Sequence, residues 1–289
     1  MLRSLLFVPG DSARKLAAAS GVEANALILD LEDAVAEPRK TQARAAVVAY
    51  LRERRTDDGQ ALWVRINALG TDHSEQDLAA VIPAQPAGIV LPKCNSPEDV
   101  LQLASRLDEL EAAAGSRRGQ TGVIPIVTES PEAVFQLGAY TPDIPRLKGL
   151  TWGAEDLSVR IGAPGSRDES GELLPVFRQV QSMVLLAAAA AAVQAIDTIY
   201  TRIDDRDGLQ KVIALSRGQG FTGMLAIHPS QVPLINAAYL PTVGEIEQAR
   251  RVVQAFAEAN GAGTLRLDGK MLDQPHLAAA QRVLALGRT

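Results

Sequence analysis

The chain has 289 residues, of which 47% are hydrophobic and 22% charged, a composition typical of a folded globular protein and unlike that of a disordered chain. Its 29 Lys and Arg against 34 Asp and Glu give a net charge of -5, which argues against dedicated nucleic-acid binding. Cys94 is the only cysteine, so neither an intrachain disulfide nor a cysteine-based zinc site is available. The longest apolar run, 183–193, is shorter than the roughly 20 residues of a membrane-spanning helix, and the first, 5–8, is too short for a signal peptide. We therefore expect a cytoplasmic protein that does not contact a membrane.

Eight short runs rich in Val, Ile and Leu recur along the chain, each followed by a longer stretch of helical character. These runs are too short for helices and too continuously apolar for half-exposed strands, which predicts parallel strands that are buried on both faces. The predicted strands cover residues 4–8, 26–31, 62–66, 88–91, 123–127, 147–152, 195–199 and 223–227.

Helix signals stand between these strands. Ser-Pro-Glu at 96–98 and again at 130–132 offers an N-cap serine, a proline in the first turn and an early acid. The patterns of residues 40–55, 207–217 and 243–259 also predict helices, and the alanine-rich run 183–193 predicts a buried helix.

Eight strand–helix alternations predict an α/β fold of the (β/α)8 TIM-barrel type. A doubly wound open sheet is the alternative, weakened because no GxGxxG follows the first strand. We expect the barrel to cover residues 1–260. A C-terminal extension, 261–289, would then contribute a turn and one more helix that a barrel does not need.

Ionisable residues cluster where the predicted strands end, which is where the active sites of such barrels lie. Seven of the eight strands carry them in or just beyond their C-terminal part; the residues are Asp30, Glu32, Asp33, Arg65, Lys93, Glu129, Glu155, Asp156, Asp197 and His228. Any one of them could be only a helix cap or a loop residue, but an entirely structural set is much less expected. Asp30 lies inside an apolar run, so burial is expected, and Arg65, Lys93 or a divalent cation could be its partner.

Glu129 and Asp156 follow adjacent strands and would face each other across the ~5 Å strand spacing. Oxygen ligands without cysteine and with only three histidines suit Mg2+ or Mn2+ better than zinc. Arg65 suits a substrate carboxylate, which a guanidinium binds in a bidentate manner. Asn67 and Lys93, at the ends of strands three and four, are further candidate substrate-binding residues. These groups point to enolate chemistry on a small keto or hydroxy acid, with the metal as Lewis acid.

An ordered set of motifs resembles the HpcH/HpaI aldolase/citrate lyase superfamily, in its citrate lyase β-subunit-like branch, which includes malyl-CoA and citramalyl-CoA lyases. VRIN or IHP alone is a weak signal, but the ordered set with GAEDLS and GKMLD is highly specific. The motifs are RSLLFVPG (3–10), LILDLEDAV (27–35), VRIN (64–67), IVLPK (89–93), PIVTES (125–130), GLTWGAEDLS (149–158), AIDTIY (195–200), AIHPSQ (226–231) and DGKMLDQPH (268–276).

The resemblance implies a TIM barrel, a divalent metal, and cleavage or formation of a carbon–carbon bond in an acyl-CoA. By position, Glu129 and Asp156 match the metal ligands, and Arg65 matches the arginine that binds the small acid's carboxylate. Glu32 and Asp33 match the acidic pair beside the metal. Asp273 matches an aspartate that reaches a neighbouring subunit's site as general acid/base, which implies a homo-oligomer, a trimer or a dimer of trimers.

The resemblance also places CoA near strand one and the loop after strand eight. Arg14 and Lys15 could contact its phosphates or be solvated helix residues, and His228 could line the CoA groove or lock its own loop. The expected activity is Mg2+-dependent cleavage of a 3-hydroxyacyl-CoA to an acyl-CoA and a small 2-keto acid or glyoxylate. The alternatives are a malate-synthase-like thioester hydrolase, a citrate lyase β subunit that depends on partner subunits, and a CoA-independent aldolase.

Overall fold

The computed structural model describes residues 1–54, 59–259 and 263–287 of the chain. The chain divides into two compact units, Met1–Asn236 and Ala237–Thr289. The boundary expected between residues 260 and 261 and the helix end expected at residue 55 lie outside the described residues.

The first unit contains eight parallel strands in one sheet, in the order β5-β4-β3-β2-β1-β8-β7-β6. Single parallel bridges, Val123 with Leu147 and Ile126 with Thr151, link the two edge strands, so the sheet forms a nearly closed barrel. The strands are β1 Ser4–Pro9, β2 Ala26–Asp30, β3 Ala61–Arg65, β4 Gly88–Leu91, β5 Gly122–Pro125, β6 Gly149–Leu150, β7 Gln194–Asp197 and β8 Gly223–Ala226.

Helices follow the strands in chain order. They are α1 Ala13–Ala19, α2 Lys40–Glu53, α3 Asp72–Val81, α4 Pro97–Ala113, α5 Pro131–Phe135, α6 Ala154–Arg160, α7 Pro175–Ala190, α8 Arg206–Gln219, α9 Val232–Ala238, α10 Val243–Glu258 and α11 Gln274–Leu286. Short 3-10 turns occupy Glu37–Arg39, Ile82–Ala84, Leu137–Ala139 and Pro229–Gln231. In the described part of the chain, no helix is both long enough and apolar enough to cross a membrane.

All eight predicted strands are present, which confirms the barrel prediction. The expected helix starts are confirmed too: Ser96 is the N-cap of α4, and the Ser130 side chain accepts the backbone N–H of Ala133 at the start of α5. The alanine-rich run forms the end of α7, but its prediction as a buried helix was wrong in part. Leu186 is largely exposed, because α7 turns only one face to the barrel and has solvent on the other.

Inward-facing side chains from successive strands fill the barrel with one apolar cluster that includes Leu5, Ile28, Trp63, Ile124 and Ile196. The Trp63 indole requires a glycine on the neighbouring strand, since a Cβ at Gly88 would lie 2.1 Å from its ring. This packing places Trp63 in the barrel core. A filled interior leaves the strand ends as the place where polar groups can collect.

The second unit has its own small core, in which Val252 and Phe256 of α10 pack with Leu272 and Ala280. The expected turn in the tail is the tip of a β-hairpin: β9, Thr264–Leu267, pairs antiparallel with β10, Lys270–Asp273. Asp268 and Gly269 join the strands with φ angles of 50° and 77°, and two positive φ angles in succession are the hallmark of a type I′ turn. The expected last helix is α11.

Candidate active site

Strand register places Arg65 beside Asp30. The two residues are direct partners in the parallel pairing of β2 and β3, and Arg65 donates from Nε and Nη2 to the two Asp30 carboxylate oxygens at 2.8 and 2.6 Å. The guanidinium also stacks 4.8 Å from the centre of the Phe7 ring. Burial lowers the Arg65 pKa, but Asp30 and the nearby carboxylates raise it by more, so the group is a permanent cation.

Glu32 is 3% exposed and lies between two cations. Its Oε1 accepts from Lys93 Nζ at 2.5 Å, and its Oε2 lies 3.0 Å from Arg65 Nη1 without hydrogen-bond geometry to any described group. Burial raises the pKa of Glu32 despite these cations. Asp33 is exposed, and its carboxylate lies 3.4 Å from the same Lys93 amine. Lys93 therefore contacts both Glu32 and Asp33 after the end of β2.

Glu129 follows β5 and is 5% exposed. Its Oε2 accepts the backbone N–H of Lys93, a residue held in the left-handed region at φ 50°. Burial raises the pKa of Glu129 to about 8, and the Glu32 and Asp156 carboxylates add to the rise. Glu129 and Asp156 line one cavity of about 290 Å3. The structure thus brings together the two residues predicted as metal ligands.

Gly153 makes room for the Glu129 side chain. A Cβ at this position would lie 2.8 Å from Glu129 Cγ and 3.4 Å from Ile126 Cγ2. The Gly153 N–H donates to Thr128 Oγ1 at 3.1 Å, which fixes the chain between β6 and α6. Gly153, the glycine of the GAED sequence, therefore leaves the space that the Glu129 side chain occupies.

The carboxylates and cations of this centre do not balance. Asp30, Glu32, Asp33, Glu129 and Asp156 provide five carboxylates, against three cations from Arg65, Lys93 and Arg160, the last of which also pairs with Glu132. In residues 1–54, 59–259 and 263–287, no three His, Cys, Asp or Glu side chains are arranged to hold a metal on their own. One or two carboxylates completed by water and substrate is the usual protein environment of Mg2+. The excess negative charge, and the Oε2 of Glu32 that accepts no hydrogen bond from the described residues, fit such an ion and its waters.

A buried polar network of Lys40, Asn67 and Asp77 holds the chain just after the end of β2. The sequence patterns did not predict this network. Lys40 Nζ donates to the carbonyls of Leu31 and Glu32 at 2.9 and 2.8 Å and to Asn67 Oδ1 at 2.6 Å. Asn67 Nδ2 donates to the Leu31 carbonyl and to Asp77 Oδ2. The amide of Asn67 is therefore engaged by the protein, which favours a positioning role over the predicted substrate contact.

A second cavity, of about 520 Å3, opens beside β1 and includes both Arg65 and the predicted CoA residues Arg14, Lys15 and His228. Its walls are mostly apolar, with Phe7, Val8, Ala18, Ile199 and Ile227 among them. The Nδ1 of His228 accepts the Ser230 N–H at 3.2 Å, so this histidine also caps its own loop. Arg65 contacts Glu32, and Glu32 contacts Lys93, which links this cavity to the one lined by Glu129.

Two further ionisable residues have structural roles. Asp197 at the end of β7 accepts Trp152 Nε1 at 2.7 Å, both Oδ atoms accept from Gln181, and the backbone N–H of Thr198 completes its shell. Cys94 is buried against Tyr140, and burial raises its thiol pKa to about 12. A buried thiol with a raised pKa does not suit a nucleophile.

Asp273 is the last residue of β10 and the N-cap of α11 in the second unit. Its Oδ1 lies 2.5 Å from His276 Nδ1, and its side chain is about one-third exposed. The hairpin thus presents a carboxylate in contact with an imidazole. His276 is part of α11, as expected for a residue of the tail helix.

An acidic centre at the strand ends of a (β/α)8 barrel is the usual place of the active site in a TIM-barrel enzyme. A sequence profile described as HpcH/HpaI aldolase/citrate lyase matches residues 3–229, and one described as C-C bond lyase of the TIM-barrel fold matches residues 170–289. The chain belongs to the HpcH/HpaI aldolase/citrate lyase family.

Among individual relatives, the citrate lyase subunit beta of Haemophilus influenzae is 35% identical over 98% of this chain and 95% of that protein. A (3S)-malyl-CoA thioesterase of Cereibacter sphaeroides is 32% identical over 98% of this chain and 93% of that protein. The crystal structure of CitE from Mycobacterium tuberculosis, in complex with magnesium, acetoacetate and coenzyme A, has a TM-score of 0.81 and 33% identity, and covers 99% of this chain and 98% of that one.

Proposed function

We propose that this protein is a Mg2+-dependent carbon–carbon lyase that cleaves a 3-hydroxyacyl-CoA of the malyl-, citramalyl- or citryl-CoA type. The products would be an acyl-CoA and a small 2-keto acid or glyoxylate. The observation that carries the proposal is the buried Glu129, which shares a cavity with Asp156 in a centre that has more carboxylates than cations. The relative solved with magnesium, acetoacetate and coenzyme A supports the same ligand classes.

We assign the metal to Glu129 and Asp156, with Mg2+ as the preferred ion and Mn2+ as a substitute. Bound there, the ion supplies Lewis-acid polarisation of the substrate's oxygen atoms. Arg65 has five N–H donors: two donate to Asp30, and a third, on Nη1, faces Glu32 Oε2 in an ion pair without hydrogen-bond geometry. The remaining two can bind the carboxylate of the small acid, while Lys93 keeps Glu32 and Asp33 at its side.

Cleavage needs a proton removed from the substrate hydroxyl and a proton delivered to the new carbanion. We assign the first transfer to the Glu32–Asp33 pair and its waters. As the carbon–carbon bond breaks, its electron pair passes to the thioester as an enolate, and the hydroxyl oxygen becomes the carbonyl of the departing acid. Asp273 then protonates the enolate carbon. Most of the rate enhancement would come from positioning and preorganised charge.

The cavity beside β1 suits a CoA thioester. Arg14 and Lys15 at its rim offer positive charge to phosphates, and the apolar wall suits the pantetheine arm. Since this cavity also contains Arg65, the thioester end would reach the acidic centre from here. His228 would act by holding the loop after β8 in place.

We further propose a homo-oligomer, a trimer or a dimer of trimers, in which Asp273 serves a neighbouring subunit. Phe135 of α5 is 83% exposed and Val159 of α6 is 77% exposed. An ion pair between Glu132 and Arg160, 3.6 Å apart, joins the same two helices, so both apolar side chains lie on neighbouring elements next to the metal cavity. Large exposed apolar residues in one area are typical of a subunit interface.

A cleavage assay with malyl-, citramalyl-, citryl- and methylmalyl-CoA tests the proposal. We expect keto-acid or glyoxylate release from at least one thioester, complete inhibition by EDTA and recovery with Mg2+. Glu129→Gln should lose Mg2+ binding and activity together, whereas Glu169→Gln on an exposed loop should keep both. Mg2+-stimulated cleavage by Glu129→Gln would refute the ligand assignment.

A thioester hydrolase is the second candidate, because a relative of 32% identity carries the name (3S)-malyl-CoA thioesterase. Free thiol and keto acid should be measured in the same reaction. Release of CoA thiol without keto acid would favour the hydrolase, and keto acid without thiol would favour the lyase. Activity that appears only after partner subunits are added would instead favour a dependent β subunit, as in the relative named citrate lyase subunit beta.

Complementation tests the role of Asp273 in a neighbouring subunit. Asp273→Asn and Glu129→Gln should each be inactive, and a co-expressed mixture should regain part of the activity, because mixed oligomers contain sites with both native residues. Size-exclusion chromatography would check that the variants assemble. A mixed oligomer with no activity would contradict the transfer of Asp273 between subunits.

A further inference from the structure

A third cavity of about 430 Å3 lies in the groove between α7 and α8 and is covered by the loop before α7. It shares no lining residue with the two cavities of the active site. Its volume falls within the roughly 300–1,000 Å3 of small-molecule sites. The cavity therefore has room for a ligand that is separate from the substrate.

The cavity is positively charged. Arg167, Arg178 and Lys211 line it, against one carboxylate, Glu172, whose Oε2 lies 2.9 Å from Arg178 Nη2. Arg167 is half-buried, and the contacts recorded for it are the Gly171 carbonyl at 3.0 Å and the Tyr200 ring at 5.2 Å. Within the described residues, neither Arg167 nor Lys211 forms an ion pair, although the carboxylates of Asp197 and Glu155 attract Arg167 and that of Asp205 attracts Lys211. Burial lowers the pKa of Arg167 despite these carboxylates. An anion could satisfy both cations.

A buried acceptor accompanies these cations. Gln181 lines the cavity and is almost fully buried. Its Nε2 donates to both carboxylate oxygens of Asp197, at 3.1 and 3.0 Å, which fixes the orientation of the amide. Its Oε1 is buried with no hydrogen-bond donor in the described chain. A buried acceptor without a donor is unfavourable, so a ligand hydroxyl that donates to Gln181 Oε1 would gain a hydrogen bond.

The rest of the wall is apolar, with Leu173, Val212 and the strongly exposed Leu215. The loop above it is fixed in place, because Arg202 donates to the carbonyls of Asp168 and Glu169 at 3.1 and 3.3 Å. From these contacts we propose that the groove between α7 and α8 is a second binding site, for a small hydroxycarboxylate with an apolar tail. The carboxylate would pair with Arg167 and Lys211, the hydroxyl would donate to Gln181, and the tail would cover Leu215.

Calorimetric titration with 2-hydroxyhexanoate in the presence of EDTA tests this site without using the catalytic activity. Removal of Arg167 should weaken binding at least about tenfold, the usual worth of a hydrogen bond to a charged group. Leu215→Glu should have a similar effect, because it adds a carboxylate at an exposed position that is not needed for folding. Arg206→Gln is the matched control, because Arg206 lies on α8 like Leu215 but does not line the cavity; it should bind 2-hydroxyhexanoate as the unmodified protein does.

A crystal soaked with 6-bromo-2-hydroxyhexanoate would locate the bromine by anomalous scattering. Bromine in the α7–α8 groove, together with weaker binding in Arg167→Gln and Leu215→Glu, supports the proposal. Absence of saturable binding, equal affinity in all four proteins, or bromine only in the cavity beside β1 would overturn it. A groove occupied by a second copy of the chain, with no bromine in it, would also overturn it.

Discussion

Gly153→Ala is the substitution that most directly tests the packing around the predicted metal ligand. Gly153 has φ -111° and ψ 107°, a conformation that alanine adopts without strain, so any effect must come from the added methyl group. That methyl group would lie 2.8 Å from Glu129 Cγ and 3.4 Å from Ile126 Cγ2. Carbon atoms in contact prefer about 3.5–4.0 Å, so Glu129 must move by about 0.7–1.2 Å.

A movement of this size matters more for the metal than for the fold. Overpacking of this kind costs about 1–3 kcal/mol of unfolding free energy, which a barrel of this size can tolerate. Mg2+ in contrast demands oxygen ligands at about 2.0–2.1 Å in near-octahedral geometry, so a displaced Glu129 can no longer coordinate it well. We expect the affinity for Mg2+ to fall at least about tenfold, or 1.4 kcal/mol, with a matching rise in the Mg2+ concentration needed for half-maximal cleavage.

The assay combines Mn2+ binding followed by electron paramagnetic resonance with cleavage rates measured across a Mg2+ titration. Gly138→Ala is the matched control, because a Cβ at Gly138 meets no atom within 4 Å. Thermal unfolding of both variants separates loss of metal from loss of fold. Native metal affinity and native rate in Gly153→Ala would refute the assignment of Glu129 as a ligand held by this contact.

Three further predictions concern groups outside the metal site. Arg146→Met should lower the free energy of unfolding by about 3–5 kcal/mol at neutral pH, because it leaves the buried Glu111 without its ion pair. Arg118 is the control: it is exposed and pairs with Asp108, which Arg146 also contacts, so Arg118→Met should cost at most about 1 kcal/mol. Although burial raises the pKa of Glu111, hydrogen bonds from Arg146, Thr121 and Gly119 lower it from 4.5 to about 2. The stabilisation by these hydrogen bonds is therefore present above pH 4.5 and is lost as the pH falls towards 2. Acid titration followed by circular dichroism should show that the difference in unfolding free energy between Arg146→Met and the parent protein becomes smaller in that range. Lys40→Met should reduce turnover and cost about 2–4 kcal/mol of unfolding free energy, since two backbone carbonyls and Asn67 lose their donor. Arg52→Met, at an exposed position of the same helix, should leave both quantities unchanged, and equal stability of the two variants in urea would contradict the role of Lys40. Cys94→Ala should retain full activity, and a thiol reagent should label the parent protein only after denaturation, because the thiol is buried with a pKa of about 12; rapid labelling of the native protein would be the contrary result.

The barrel could be predicted from sequence because a buried parallel strand has a simple signature. Val123 to Val127 and Gly223 to Ile227 are continuously apolar and flanked by helix signals, and a right-handed crossover leaves few topologies for eight such units. The limits of the strands were predicted less accurately. At β6 the strand covers only Gly149–Leu150, whereas the predicted apolar run covers residues 147–152. The β9–β10 hairpin was missed although its Asp268-Gly269 turn is a strong hairpin signal, because the strands on either side carry exposed polar residues instead of a continuous apolar run.

Long-range polar contacts escaped prediction for a different reason. Lys40 is the first residue of α2, in a sequence rich in charge and alanine, where a lysine is expected to be solvated. It is buried because its amine reaches the carbonyls of the preceding loop and Asn67 of the next strand end. Helical periodicity describes which face of a helix is apolar, and it carries no information about a polar side chain at the helix start that turns towards the strand ends.

Register resolves the partners of the buried carboxylates, a choice that the sequence left open. Arg65, Lys93 and a divalent cation were equivalent partners for Asp30, and the direct pairing of Asp30 with Arg65 across β2 and β3 makes Arg65 the partner. Lys93 instead reaches Glu32, two residues further along. With Asp30 neutralised by a bidentate contact and Glu32 held between two cations, Glu129 and Asp156 are the carboxylates of this centre without an ion pair among the described residues, although Lys93 and Arg160 line the same cavity. Two carboxylates without an ion pair in one cavity support the proposal of a metal between them, at the ends of β5 and β6, since a cation placed there is attracted by both.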